Sequence, residues 1–103
     1  MTIQEFMKNT YRCKRGEYQS LRPLLVCNDG FDMSVQASKA HGCSPRMDGN
    51  IEYYSVEIGY PSWEEELLIP YAYDKDDLTN TIYAYVPVDI VNKVIEKHGG
   101  IKE

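Results

Sequence analysis

The sequence predicts a small α+β protein. The expected architecture is a single domain with a roughly four-stranded, mainly antiparallel sheet, a C-terminal helix packed on one face and a short N-terminal helix beside it. Three observations predict it. The chain has 103 residues, enough for one core of two packed layers. Tyr53 to Tyr60 and Thr81 to Val86 alternate apolar and polar positions with the period of half-buried strands. Residues near both ends carry helical spacing with capping signals. The organisation follows as one domain over 1–103, with an N-terminal helix in 1–16 and the core in 22–101.

Taken in order, Thr2 and Glu5 form a capping box, Ile3, Phe6, Met7 and Tyr11 share one face, and Gly16 supplies a stop. This predicts a helix over residues 2–15. Pro23 delays the first strand to about Leu24. Asp29-Gly30 is a favoured two-residue hairpin turn, because Gly adopts positive φ freely and Asp tolerates it. That turn sets Val26 opposite Met33 and Leu24 opposite Val35 on the core side, with Leu25 and Cys27 facing the other way. Residues 39–52 form a loop long enough to suggest function.

The third strand places Tyr54, Val56, Ile58 and Tyr60 on one face, and Tyr53, Ser55, Glu57 and Gly59 on the other. After Pro61, Ser62 and Glu65 form a second capping box opening a helical turn to Leu68, ended by Pro70. Glu64, Glu65 and Glu66 fit the first turn of such a helix, where the helix dipole favours negative charge. The fourth strand sets Ile82, Ala84 and Val86 against Tyr83 and Tyr85. Pro87 then opens a helix to about His98, with Val88, Val91, Val94 and Ile95 inward and Gly99-Gly100 as its stop.

Composition narrows the function classes. A hydrophobic fraction of 43% and a charged fraction of 26% are those of a globular protein. No long apolar run suits a membrane span, and the Met1 end lacks a secretory pattern, so a cytoplasmic location is expected. Cys13, Cys27 and Cys43 are odd in number and widely spaced, which fits free thiols in a reducing compartment. No metal or cofactor is expected, because C-x-x-C and H-x-x-x-H patterns are missing. The net charge of −5 argues against direct binding to a nucleic-acid backbone and permits binding to a basic protein surface. Nine tyrosines against two phenylalanines suit surfaces partly buried by a partner, although tyrosine also favours strands.

Motifs for catalysis are thin. His41 and Cys43 invite a nucleophile and base reading, yet no third group orients the histidine. His98 reads as a helix C-terminal residue. Asp74, Asp76 and Asp77 resemble the start of a calcium loop but lack its turn glycine and closing glutamate. Phosphate-loop, dinucleotide and nucleophile-elbow motifs are missing. The expectation is a non-enzyme with no catalytic residue. The candidate ligand- or partner-binding set is Gln36, Ser38, His41, Ser44, Arg46, Tyr53, Tyr83 and Tyr85, in which arginine offers a planar donor fork and the tyrosines a stacking surface. The bland alternative for Arg46 is pairing with a surface acid.

The stretches Met33-Ser34-Val35-Gln36-Ala37-Ser38, Cys43-Ser44-Pro45-Arg46, Tyr85-Val86-Pro87-Val88 and Val94-Ile95-Glu96-Lys97-His98-Gly99-Gly100 resemble small proteins encoded in phages and prophages of gut Firmicutes. The resemblance covers about residues 22–101 and assigns no functional residue. It implies a mobile-element setting, and with it a counter-defence inhibitor acting by stoichiometric binding of a host defence component. Two physical versions differ. An acidic, tyrosine-rich face with Glu57, Glu64 to Glu66 and Asp74 to Asp77 would block a basic channel of a defence protein such as a CRISPR effector. Alternatively, Arg46 or Arg22 with a stacking tyrosine would sequester a nucleotide signal. Other readings are a small nucleotide-acting enzyme using Cys43 and His41, and a phage structural or assembly accessory protein. A homo-oligomer formed through an exposed sheet edge is compatible with the architecture.

Overall fold

A computed structural model describes residues 1–11 and 22–103. It shows the expected α+β architecture. Helix α1 (Ile3–Asn9) precedes strands β1 (Leu25–Val26), β2 (Asp32–Gln36), β3 (Ser55–Gly59) and β4 (Ile82–Pro87), and helix α2 (Val88–Lys97) follows directly. The strands form one antiparallel sheet in the order β1-β2-β3-β4, each paired with its neighbour in sequence. A single 3-10 turn at Ile69–Tyr71 lies between β3 and β4.

α1 begins at the predicted capping box. The Thr2 side chain accepts from the Glu5 N–H, and the Glu5 carboxylate accepts from the Thr2 N–H. Its Ile3, Phe6 and Met7 are buried. The described helix ends at Asn9, and the predicted continuation beyond Tyr11, with Cys13, lies outside the described residues. α1 is fixed to α2 by Asn92, whose side chain accepts from the Ile3 N–H and donates to Gln4 Oε1. α2 buries Val91, Val94 and Ile95, with Val88 half-buried. Gly99 and Gly100, both at positive φ, end the helix, with the Gly100 N–H returning to the Ile95 carbonyl.

The hairpin forms one residue away from the expected register. Leu25 opposes Met33 and Val26 opposes Asp32, and the Cys27 N–H donates to the Phe31 carbonyl. The connection is therefore Asn28-Asp29-Gly30, with Gly30 at φ 95 as the left-handed residue of a three-residue loop. The Asp29 carboxylate accepts from the Phe31 N–H and stabilises this three-residue loop. One residue of slip exchanges the faces of β1. Leu25 and Cys27 are fully buried with Phe31, Met33 and Val35, and Leu24 is exposed.

A second departure sits in β4. Val56 opposes Val86 while Ile58 opposes Tyr83, so Ala84 and Tyr85 together face Glu57 across a β-bulge. Tyr85 takes φ 54 there. The bulge reverses the alternation, so Tyr83 joins Val86 in the core instead of lying on the opposite face. At both ends of β3 the pattern also inverts. Tyr53 is buried and Tyr54 exposed, because the Tyr53 hydroxyl is drawn to the Met47 carbonyl while the Tyr54 backbone pairs with Ser44. Tyr60 is exposed at φ 50 immediately before Pro61.

The capping box expected at Ser62 and Glu65 does not form. Ser62 Oγ instead accepts from the Asp32 N–H, and the Glu65 carboxylate turns inward. Both sheet edges carry cover over part of their length. Ile101 bridges Cys27, the Lys102 N–H donates to the Val26 carbonyl, and Ala72 bridges Tyr83 on the outer side of β4.

Candidate functional site

The loop after β2 is held by its own polar groups. Ser38 Oγ lies 2.7 Å from His41 Nδ1 and accepts from the Ala40 N–H. The Cys43 thiol donates to the Ser38 carbonyl at 3.2 Å, and burial raises its pKa. Gly42 lies against the sheet, its N–H donating to Glu57 Oε1 and its carbonyl accepting from the Tyr85 N–H at the bulge. A Cβ on Gly42 would stand 2.9 Å from the Ala84 Cβ, so glycine alone permits this approach. Ser44 bridges Ser55, and the Ser44-Pro45 peptide is cis.

The eight residues expected to meet a ligand do not share one surface. Gln36 is buried in a reciprocal pair with Arg22, accepting from its N–H and donating to its carbonyl, both at 3.0 Å. Ser38 is buried, and His41 and Ser44 are half-buried. Tyr53 and Tyr83 are enclosed, with their hydroxyls on the carbonyls of Met47 and Leu78. Arg46 and Tyr85 are exposed. Among the described residues Arg46 has neither the acidic partner of the bland alternative nor a hydrogen bond, and it lies two residues after Ser44, whose carbonyl accepts from the Tyr54 N–H.

Arg22 is not free to grip phosphate. It is 5% exposed, and its Nη1 donates to the Ala37 carbonyl. An enclosed depression between α1 and residues 51–53 holds about 10 Å³, roughly the room of one water. A shallower hollow of about 470 Å³ at Asn28, Gly99 and Glu103 is open to solvent.

No family model, curated protein or solved structure matches this chain.

The clearest chemical cluster was not legible as one in the sequence. His98 is stacked on Phe31 with ring centroids 4.2 Å apart, and Trp63 packs edge-on against both. Its Nδ1 lies 2.6 Å from Asp29 Oδ2 and its Nε2 lies 2.7 Å from Glu65 Oε1. Lys97 completes the set at 3.0 Å from Glu65 Oε1. With carboxylate oxygens on both ring nitrogens and 6% exposure, the imidazole is committed to holding the hairpin turn, the segment after β3 and the end of α2 together. Glu65 is 2% exposed and is thereby removed from the acidic face that the sequence suggested.

Several aromatic side chains stay at the surface. Tyr54, Tyr60, Trp63, Tyr73 and Tyr85 are all exposed, Tyr73 by 87%. Tyr60 and Tyr73 flank the start of β4 from its two sides, the Tyr60 N–H bonded to the Thr81 carbonyl and the Tyr73 N–H to the Ile82 carbonyl. Asp74 joins them through its N–H on Thr81 Oγ1. Tyr54 and Tyr85 lie at the opposite end, beside the pairing of Ser55 with Pro87.

Proposed function

We propose that this chain is a non-catalytic protein-binding inhibitor acting by stoichiometric capture, with a host defence protein as its target in the mobile-element setting implied by the sequence resemblance. One observation supports the binding reading most directly. Two exposed tyrosines, Tyr60 and Tyr85, occupy left-handed backbone at φ 50 and φ 54, a conformation that glycine or asparagine adopts at lower cost. Bulky side chains kept in such positions without burial point to a use outside the fold. The groups that would serve catalysis are occupied internally, since the Cys43 thiol and the His41 and His98 rings all bond to the chain itself.

A nucleotide signal is the second reading. It is favoured by Arg46, exposed beside the Ser44–Tyr54 pairing, which leaves a guanidinium and an aromatic ring for an anionic base-bearing ligand.

Native mass spectrometry of the purified chain, incubated first with candidate defence proteins and then with nucleotides and cyclic dinucleotides, tests the proposal. An integral complex with a defence protein, both masses unchanged, is expected. A nucleotide retained unaltered would move the target to the second reading. Conversion of any nucleotide to a product mass would overturn a non-catalytic role.

A further inference from the structure

The two ends of the β3–β4 ribbon differ in chemistry. Around Thr81 and Ile82, the exposed Tyr60 and Tyr73 bond to the strand on its two sides, and the exposed carboxylates of Asp74, Asp76 and Asp77 follow Tyr73 in the chain, with Asp74 bonded to Thr81. Trp63 and Glu64 follow Tyr60 in the chain just after Ser62, whose N–H donates to the Asp32 carbonyl. Of the nearby cations, Lys75 reaches back to the Ala72 carbonyl and Lys97 pairs with Glu65 and Glu66. The half-buried Asp32 adds another acid, its N–H donating to Ser62 Oγ and its carbonyl accepting from the Ser62 N–H.

We infer that this end of the sheet, Tyr60–Glu64 together with Tyr73–Asp77, is the docking surface, and that its partner presents lysine and arginine side chains on a protein. The inference rests on the protein-binding reading above and adds the place and the partner's chemistry.

Charge complementarity selects the partner. Several exposed carboxylates repel nucleic acid and acidic proteins, whereas they attract a basic surface and steer its approach. The aromatics select arginine and lysine again, because a guanidinium or ammonium over a tyrosine or tryptophan face gains from the ring's quadrupole. The anchors are also rigid. Trp63 is packed against Phe31 and His98, and the Tyr60 backbone is pinned to Thr81, so little side-chain freedom is lost on binding. The carboxylates of the turn are set likewise, with Asp74 Oδ1 accepting from the Asp76 N–H and Asp77 from the Asn80 side chain. The opposite end presents Arg46, Tyr54 and Tyr85 without the run of turn carboxylates at 74–77.

The test is a nitrogen-15 NMR titration of the full chain with three probes: an arginine-serine peptide, a glutamate-serine peptide of equal length, and a cyclic dinucleotide. The arginine peptide is expected to shift residues 60–64 and 73–82. Tyr73→Ala combined with Glu64→Lys should weaken that binding at least tenfold, while Lys93→Ala, on the exposed side of α2, leaves it unchanged. Tyr73 is nearly fully exposed, so a retained spectrum verifies folding of the double variant. Shifts only at the Arg46–Tyr54 end, from the glutamate peptide or the dinucleotide, would overturn this surface and leave a binding role standing. Absence of shifts with all three probes would overturn the surface and count against the binding role together.

Discussion

His98 Nε2 lies 2.7 Å from Glu65 Oε1, a contact that ties the residue capping the end of α2 to the segment following β3. The same Glu65 carboxylate accepts from the Leu67 N–H and from Lys97, so it satisfies three donors from two places in the chain.

Removing that carboxylate should therefore be costly. Glu65→Ala leaves the buried His98 Nε2 without its acceptor, and an unsatisfied buried polar group costs about 1–3 kcal/mol. Urea denaturation is expected to show a lower midpoint with an unchanged slope. A loss under about 1 kcal/mol would mean that His98 is held by Asp29 alone.

Acid should loosen the same joint. Burial by itself would raise the Glu65 carboxyl, but the bonds from Leu67, His98 and Lys97 outweigh it and hold the group below its ordinary 4.5. Asp29 is likewise below its ordinary 3.8: desolvation would raise it, and the Phe31 N–H and His98 prevail. A depressed folded-state pKa means that the stabilisation is complete above the unfolded value and is lost as pH falls through the folded one. The melting temperature should stay level down to about pH 5 and fall steadily below about pH 4. Glu65→Gln should show a shallower acid limb, and identical limbs for the two proteins would exclude Glu65 as a source.

Gly42→Ala forces a Cβ to within 2.9 Å of Ala84. Overpacking of this kind costs about 1–3 kcal/mol, here by lifting the loop off Glu57 and the Tyr85 bulge. Ala84→Gly in the same chain should restore most of the loss. A double-mutant cycle measures the coupling, and simple additivity would show that the two sites do not meet.

Tyr85→Gly relieves a left-handed side-chain conformation worth about 1–2 kcal/mol, against roughly 0.5–1 kcal/mol of added chain entropy. Since Tyr85 is about half exposed, the net change in stability should lie between zero and about 1 kcal/mol in favour of the variant. Tyr85→Val, with a branched Cβ at the same φ of 54, should instead destabilise. Thermal unfolding of the two variants distinguishes a conformational effect from a packing one.

Local chemistry alone determined much of this protein. The Thr2–Glu5 box starts α1, the apolar spacing and closing glycines bound α2, the alternation of Val56 and Ile58 makes the centre of β3, and Gly30 marks the hairpin. Those features depend on neighbours a few residues apart, and their physics is complete within the segment. Only the tertiary structure decided the register and the surface. The three-residue turn became favourable once Leu25 and Cys27 could be buried against Phe31 and Met33, and the bulge at Tyr85 allowed Tyr83 into the core while Gly42 packed on Ala84. Glu65 and His98 gave no local sign of each other because 33 residues separate them. Burial and charge pairing act across such separations, so which acids and which tyrosines remain at the surface was settled only when the sheet closed.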